Sequence, residues 1–197
     1  MKVLTAPASP FGRKVAITAH MKGLTYRIDF QTTKADAEDN TNPLAKIPVL
    51  ITDDGASIFD SPVICEYLDA QAASPVLFPG EGAKRWKALT LGALADGIID
   101  AAILLVYEGR YRPEDKRVEA WVGMQQKKIN QALDHLEPAP PAFDGTPDYG
   151  HVTLACALGY LDFRHGGKWR AGHPNLVAWL DTFAAAVPAF EKTTPDA

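Results

Sequence analysis

The chain has 197 residues, 47% of them hydrophobic and 22% charged, with a formal net charge of −4. This composition is typical of a globular protein with one large domain or two small ones, and the lack of a basic stripe argues against nucleic acid or anionic membranes as partners. The N-terminus leads into a predicted strand rather than a signal peptide. The longest apolar run, Ile98 to Tyr107, is too short to cross a bilayer. We therefore expect a cytoplasmic protein that does not enter membranes.

The first part of the chain alternates short strands with helices. Residues 2–5 predict a buried strand, residues 10–22 a helix, and the alternating stretch from Tyr26 to Gln31 a half-buried second strand. Strand, helix and strand at this spacing form a βαβ unit with parallel strands. One or two helical turns are expected between Lys34 and Asn40.

A hairpin and a helix complete this segment. Ile47 to Ile51 predict a third strand, and Asp54-Gly55 predicts a turn into a fourth strand over Ser57 to Phe59. A helix follows from Pro62 to about Ala72. The predicted order is therefore β-α-β-α-β-β-α.

Pro48 opens the third predicted strand, and strand starts are one of the few places in a sheet that accept proline. A trans bond is the commoner case at such a position. A cis bond would instead turn the backbone of Ile47 outward and leave it free to bind a ligand.

Turn-forming residues from Ser74 to Gly82 mark a domain boundary, and the chain beyond them reads as helical. We expect one domain over 1–76 and an all-helical domain over 84–197, in which Asp148 caps the most apolar helix. The predicted helices of this second domain cover 84–111, 114–136, 148–163 and 174–186.

The dipeptide Ser-Pro precedes two predicted helices, at Ser9-Pro10 and at Ser61-Pro62. Serine is a favoured N-cap and proline suits the first turn, so either pair alone is usually a plain helix start. A helix N-terminus also attracts anions. Two such ends on one sheet would hold a small ligand that carries two separated anionic groups.

Over nearly its whole length the chain resembles the cytosolic glutathione S-transferase family. Each motif is weak alone, but their order and spacing are specific. The resemblance implies a thioredoxin-like α/β N-terminal domain with a cis peptide before Pro48, followed by an all-α domain. The motifs that carry it are Ser9-Pro10-Phe11-x-x-Lys14-Val15, Asn42-Pro43, Lys46-Ile47-Pro48-Val49-Leu50, Phe59-Asp60-Ser61-Pro62-x-Ile64-x-x-Tyr67-Leu68, Ala155-x-x-Leu158-x-Tyr160-Leu161 and Trp179-Leu180.

The resemblance also implies a glutathione site. Ser9 corresponds to the hydroxyl that serine-type members direct at the glutathione sulfur, where a donor and a helix N-terminus favour the thiolate. Ile47, held by Pro48, corresponds to the residue whose backbone pairs with the cysteinyl part. Asp60 faces the amine of the γ-glutamyl end and Ser61 faces its carboxylate.

Other candidates are less firmly placed by the motifs. Lys46 corresponds to a residue that often binds the glycine carboxylate, although a solvated charge is an equal reading, and Lys34 is an assisting candidate whose register no motif fixes. Aromatic side chains are usually packing. The aromatic candidates for a hydrophobic co-substrate pocket are Phe11, Tyr107, Tyr111 and Trp169.

For several other residues a structural role has to be weighed against a functional one. The five histidines contain no i, i+4 pair, so a metal site is not expected. Cys65 and Cys156 lie among apolar neighbours, which favours core positions over nucleophiles. Arg13 either reaches the sulfur or forms an ion pair between domains. The family usually places Asp three residues after the cap of its central C-terminal helix, and this chain has His151 there, which makes stability sensitive to the protonation of His151.

The predicted function is that of a homodimeric glutathione transferase with a role in detoxification. Ser9 would stabilise a thiolate that attacks an electrophilic carbon, without a covalent enzyme intermediate. Two alternatives stay open. One is a glutathione-dependent isomerase, dehalogenase or reductase on the same scaffold. The other is a non-catalytic interaction protein, because fold alone does not select among these functions.

Overall fold

The computed structural model of the chain describes residues 1–195, which pack into two compact units. The first unit contains Met1–Arg85 together with the described residues from Val187 on, and the second contains Trp86–Ala186. The first is an α/β unit and the second is all-helical, which confirms the predicted fold class. We expected 187–197 in the helical domain, but the described part of this segment packs on the first helix of the first unit.

The first unit is built on a four-stranded mixed sheet with the strand order β2-β1-β3-β4. β1 pairs parallel with β2 and antiparallel with β3, and β3 pairs antiparallel with β4. Apolar side chains of β1, β3 and the two helices supply its core. The elements are β1 Lys2–Thr5, α1 Pro10–Met21, β2 Asp29–Thr32, β3 Val49–Ile51, β4 Ser57–Ile58 and α2 Ser61–Ala70.

Two expectations about this unit are wrong. The polar segment from Lys34 to Asn40 forms turns rather than a helix, because it has no apolar face to bury and its Asn40 side chain bonds the Ala35 carbonyl at 2.6 Å. The strand expected from Tyr26 begins instead at Asp29, after a 3-10 turn over Thr25–Arg27. All four residues of β2 are exposed, because β2 is an edge strand that pairs only with β1.

A buried ion pair ties the ends of α1 and α2 to the segment that follows them. The Lys22 ammonium donates to the Asp69 carboxylate at 2.8 Å and to the Pro75 carbonyl. Asp69 also accepts the backbone N–H groups of Leu77 at 2.9 Å and Phe78 at 3.0 Å. Both oxygens of the Asp69 carboxylate therefore accept hydrogen bonds and one also faces a cation, which is the condition under which a buried charge is tolerated.

The second unit is organised around the helix α5, Tyr149–His165, which is buried at every residue from Tyr149 to Leu161. This confirms the prediction that α5 is the central helix of the unit. The Tyr149 hydroxyl donates to Asp96 of α3 at 3.1 Å. The helices are α3 Gly82–Tyr111, α4 Glu119–Leu136, α5 Tyr149–His165 and α6 Pro174–Ala186, and a short helix α7, Pro188–Lys192, follows in the first unit.

Within the described residues, α3 is long and apolar enough to span a membrane by length and composition. Buried helices of globular proteins meet the same criterion. Helix α3 buries Ala95, Ile98, Ile99 and Ala102 in the core, and about a third of its most apolar stretch is buried in this way.

The start of α5 is held by a reciprocal capping arrangement. The backbone N–H of His151 donates to Asp148 Oδ1 at 3.0 Å, and the backbone N–H of Asp148 donates to His151 Nδ1 at 3.1 Å. His151 Nε2 lies 3.0 Å from the Ala142 carbonyl, and its ring stacks on Trp179 at 6.2 Å. The histidine thus fills the place that an acidic residue usually takes, and Asp148 caps the helix as predicted.

His151→Gln is expected to lower stability more at about pH 5 than at about pH 8. Burial favours neutral His151, but a protonated Nδ1 donates instead to Asp148 Oδ1, which lies 2.7 Å away. This bond and the charge of Asp148, with the Ala142 carbonyl and the charge of Asp144, raise the pKa of His151 above the ordinary value. The added stability is therefore complete below the unfolded-state pKa of about 6.5 and is lost as pH rises through the raised folded-state pKa. Glutamine preserves a capping acceptor without titrating. Urea unfolding at both pH values measures the difference, with exposed His135→Gln as control; equal losses at both pH values would contradict the assignment.

Asp69→Ala is expected to lower the free energy of unfolding by about 3 kcal/mol or more, because it leaves the buried Lys22 ammonium without its counter-charge. Glu66→Ala is the matched control on the same helix. Its ion pair with Arg85 at 3.0 Å is partly exposed, so its loss should cost less than about 1 kcal/mol. Chemical denaturation of both variants measures the contrast, and similar small losses would show that the Asp69 cluster does not anchor the unit.

Candidate functional site

Three chain segments meet at one edge of the sheet because of the strand directions. β1 ends at Thr5, beside the end of the parallel strand β2. β3 is antiparallel to β1, with Val49 opposite Leu4, so β3 begins where β1 ends. β4 is antiparallel to β3, with Ile58 opposite Leu50, and so ends at the same edge. The starts of α1 and α2 and the turn before β3 are therefore neighbours.

Ser9 is the N-cap of α1, as predicted. Its Oγ accepts the backbone N–H of Gly12 at 3.1 Å, and its carbonyl accepts the backbone N–H of Arg13 at 2.9 Å. Because Oγ is the acceptor in the capping bond, the hydroxyl hydrogen can still be donated to another group. The half-buried Ser9 hydroxyl thus combines a donor with the positive end of a helix.

The turn before β3 presents main-chain groups at this edge. The Ile47–Pro48 bond is cis, as the resemblance implied. Pro48 is buried and Ile47 is half-buried. Within residues 1–195, the backbone N–H and C=O of Ile47 form no hydrogen bond. These groups therefore match the needs of an extended ligand that pairs like a strand.

The start of α2 differs from the expected arrangement in its register. Asp60 is the N-cap, and its side chain makes no capping bond, so Ser61 is the first helical residue rather than the cap. Ser61 is 2% exposed, and no described residue hydrogen-bonds to its hydroxyl. Asp60 is exposed and forms no ion pair within the described chain. The prediction that Ser61 is only the N-cap of α2 is therefore wrong. The Ser61 hydroxyl and the Asp60 carboxylate are not used by other described residues, so both can bind a ligand.

The two candidate lysines lie on loops at the same edge. Lys46 directly precedes Ile47, and Lys34 follows the end of β2. Both are exposed, and neither forms an ion pair with another described residue. Asn40 bonds the Lys46 carbonyl at 3.2 Å and so fixes the loop that carries this lysine.

Asn40 was missed by the sequence reasoning, although its spacing contained a signal. Its Oδ1 accepts the backbone N–H of Asn42, and Asn42 Oδ1 accepts that of Leu44, both at 3.0 Å. Asparagines form such turns with the backbone two residues on. The pattern Asn40-x-Asn42-Pro43 therefore indicates an ordered loop.

The aromatic candidates lie in different units. Phe11 is half-buried in the first turn of α1. Tyr107 and Tyr111 belong to the second unit, are 43% and 70% exposed, and meet edge to face with their ring centroids 5.3 Å apart. Trp169 is buried within the second unit.

Two cationic residues of α1 point away from solvent. Arg13 Nη2 donates to the Phe190 carbonyl at 2.7 Å, and its guanidinium lies 4.0 Å from the centroid of that ring, so Arg13 is engaged by the C-terminal segment. Lys14 is fully buried, with its ammonium 5.2 Å from the Phe11 ring centroid. Neither cation was predicted to be buried. In the part of the chain that the structure describes, no cluster of His, Cys, Asp or Glu is arranged to hold a metal ion.

Comparisons with known proteins identify the family of the chain. Residues 8–71 match the glutathione S-transferase N-terminal domain, and residues 115–182 match the C-terminal domain of the same family. The uncharacterized GST-like protein YibF of Escherichia coli K12 is 34% identical over 99% of this chain and 98% of its own. The chain belongs to the glutathione S-transferase family.

Solved structures of family members show the same fold. A glutathione transferase family member from Pseudomonas fluorescens Pf-5 with bound glutathione has a TM-score of 0.90 and 39% identity, over 100% of this chain and 99% of that one. A second structure of a family member from this organism, with bound S-(propanoic acid)-glutathione, has a TM-score of 0.89 and 40% identity, over 100% of both chains. Maleylacetoacetate isomerase of Pseudomonas aeruginosa is 27% identical over 99% of this chain and 96% of its own. The recognised family and fold are thus confirmed.

Gly12→Ala is expected to lower the free energy of unfolding by about 1–3 kcal/mol. A Cβ at position 12 would lie 1.9 Å from Thr5 Oγ1 and 3.1 Å from Thr5 Cβ, so the Thr5 side chain or the first turn of α1 must shift. Thr5→Ala alone should cost little, because the buried Thr5 hydroxyl has no partner among the described groups. The double variant Thr5→Ala/Gly12→Ala should recover part of the loss. Chemical denaturation tests this; a Gly12→Ala variant as stable as the parent would disprove the close contact.

Proposed function

We propose that the chain is a serine-type glutathione transferase that conjugates the glutathione thiolate to a hydrophobic electrophile. The observation that supports this best is the meeting of two helix N-termini at one sheet edge, with the unpaired Ile47 backbone between them along the chain. Ser9 and Ser61 mark these two ends, and each keeps a hydroxyl hydrogen that no described residue uses. Glutathione carries a thiol and two carboxylates, which suit these groups.

In this mechanism, Ser9 lowers the free energy of the thiolate. A free thiol has a pKa of about 8.5, so little thiolate forms at neutral pH without help. A hydrogen bond from the Ser9 hydroxyl and the positive end of α1 both favour the anion. The thiol proton leaves to solvent. The sulfur lone pair then forms the bond to the electrophilic carbon, and the leaving group departs with its bonding electrons.

The remaining groups hold the rest of glutathione. The main chain of Ile47 pairs with the cysteinyl part, as one strand pairs with another. Ser61 and the start of α2 bind the γ-glutamyl carboxylate, and Asp60 binds its amine. Lys46, with Lys34 as a second cation, attracts the glycine carboxylate.

Phe11, Tyr107 and Tyr111 are the proposed lining of the co-substrate pocket. We also propose a homodimer in the cytoplasm with a role in detoxification. These features usually accompany the proposed activity.

An isomerase that uses glutathione is the second candidate. It is favoured by the 27% identity with maleylacetoacetate isomerase over nearly the whole of both chains. The same serine, helix ends and Ile47 backbone would then bind glutathione as a catalyst that is regenerated rather than consumed. Turnover assays separate the two reactions, because only conjugation depletes free glutathione.

Ser61→Ala is expected to weaken glutathione binding about tenfold or more, because a hydrogen bond to a carboxylate is lost. Ser9→Ala should still bind glutathione but raise the pKa of its thiol toward the free value of about 8.5, since the donor to the sulfur is gone and only the positive end of α1 remains. Calorimetry measures binding, and ultraviolet thiolate absorbance measures the pKa of the bound thiol.

Ser74→Ala is the matched control, because Ser74 is an exposed serine that also precedes a proline but starts no helix. This variant should behave like the parent in both measurements. Absence of binding by the parent at millimolar glutathione would refute the transferase and isomerase proposals together. It would favour the non-catalytic alternative.

A further inference from the structure

One residue beside the proposed glutathione site has a strained backbone. Ala45 has a φ of 49°, and within residues 1–195 it is the one non-glycine residue with a positive φ. A Cβ is crowded in this left-handed conformation, so alanine keeps it only where the surrounding structure holds it. Ala45 lies two positions before Ile47, whose main chain is proposed to pair with glutathione. The conformation of Ala45 therefore sets the direction in which the chain enters Ile47.

Packing of apolar side chains does not hold the turn that contains Ala45. Residues 43–46 are all exposed, and the Leu44 side chain is 69% exposed. The buried residues Asn42 and Pro48 fix where this stretch begins and ends, but none of the residues 43–46 is anchored in the core. Burial of apolar area therefore does not offset the cost of left-handed alanine, and hydrogen bonds have to do so.

The Asn40 side chain bonds the main chain at three points around this turn. Its Nδ2 donates to the Ala35 carbonyl at 2.6 Å and to the Lys46 carbonyl at 3.2 Å. Its Oδ1 accepts the backbone N–H of Asn42 at 3.0 Å. Both amide hydrogens and the amide oxygen of Asn40 are thus used. Asn40 therefore ties both ends of the turn to the loop that precedes it.

Asn42 forms the turn itself. It is 5% exposed, and its Oδ1 accepts the backbone N–H of Leu44 at 3.0 Å. Its carbonyl accepts the backbone N–H of Ala45 at 2.9 Å. Because Asn40 fixes the N–H of Asn42 and the carbonyl of Lys46, the position of the whole turn depends on the Asn40 side chain.

We propose that Asn40 is a positioning residue for glutathione, which holds the turn through Ala45 in place so that the Ile47 main chain is ready to pair before the ligand binds. This inference rests on the proposed function. Without Asn40, Ala45 relaxes to a negative φ in most molecules, and binding has to restore the strained turn. The apparent dissociation constant then rises as the fraction of binding-competent molecules falls. The complex itself keeps the same geometry.

Asn40→Ala is expected to bind glutathione about tenfold more weakly, which corresponds to relaxation of the turn in about nine molecules of ten. At saturating glutathione, the pKa of the bound thiol should equal that in the parent, because Ser9 and α1 are unchanged. Calorimetry measures the affinity and ultraviolet thiolate absorbance measures the pKa. Thr41→Ala is the matched control in the same loop, because the Thr41 hydroxyl bonds that of Ser57 at 2.8 Å rather than the turn. This variant should bind like the parent.

Ala45→Gly provides a rescue of the lost affinity. Glycine adopts a positive φ without crowding a Cβ, so the turn no longer needs Asn40 to hold it. The double variant Asn40→Ala/Ala45→Gly should therefore bind glutathione more tightly than Asn40→Ala. In the parent background, Ala45→Gly should change the affinity little. A general loss of stability in Asn40→Ala would not be corrected by glycine at this one position.

Amide hydrogen exchange reports on the turn without a ligand. The backbone N–H groups of Leu44 and Ala45 should exchange about tenfold faster in Asn40→Ala than in the parent or in Thr41→Ala, because the turn opens more often. Equal exchange rates would overturn the inference, as would the absence of recovery in the double variant. Equal affinity of Asn40→Ala and a parent that binds glutathione would overturn it and leave the proposed function standing. A parent that does not bind glutathione would overturn both.

Discussion

The pairing of β3 against β1 is the constraint on which the first unit depends. With Val49 opposite Leu4, the start of β3 lies beside the end of β1, and the antiparallel β4 returns the chain to that edge. Val49 and Leu50 point to opposite faces of the sheet and are both fully buried, so a slip of one residue would move each side chain into the packing of the other face. Core packing therefore fixes the register that makes α1, α2 and the Ile47 turn neighbours.

The proposed chemistry uses features that folding already requires. A helix must begin with unpaired N–H groups, and a strand must begin with unpaired main-chain groups wherever its ladder stops. At this edge, Ser9 satisfies one N–H of α1 and retains its own hydrogen, while Asp60 leaves its side chain unused at the start of α2. The polar groups that a ligand needs are thus produced by the ends of elements rather than by a dedicated cluster of side chains.

Prediction from the sequence succeeded where local chemistry decides the structure. The Ser9-Pro10 start of α1, the Asp148 cap of α5 and the central position of α5 all follow from capping rules and apolar periodicity. The cis bond before Pro48 was predicted from the family resemblance, because the general preference of X–Pro bonds favours trans. The family and fold class followed from the same set of motifs.

Features that depend on contacts between distant residues were not predicted. The exposure of β2 depends on its place at the edge of the sheet. The helix expected over 34–40 does not form because this polar segment has no apolar face to bury. Lys22 and Asp69 are 47 positions apart, and neither residue alone indicates a buried pair.

The return of the chain to the first unit after Ala186 has a practical consequence for dissecting the protein. The polypeptide passes between the units twice, after Arg85 and after Ala186. Cutting the gene once at the first crossing would separate α7 from α1 and remove the Phe190 carbonyl from Arg13. A self-sufficient α/β fragment would instead need the segment from Val187 joined to Arg85 by a linker, whereas the helical unit is a single continuous stretch.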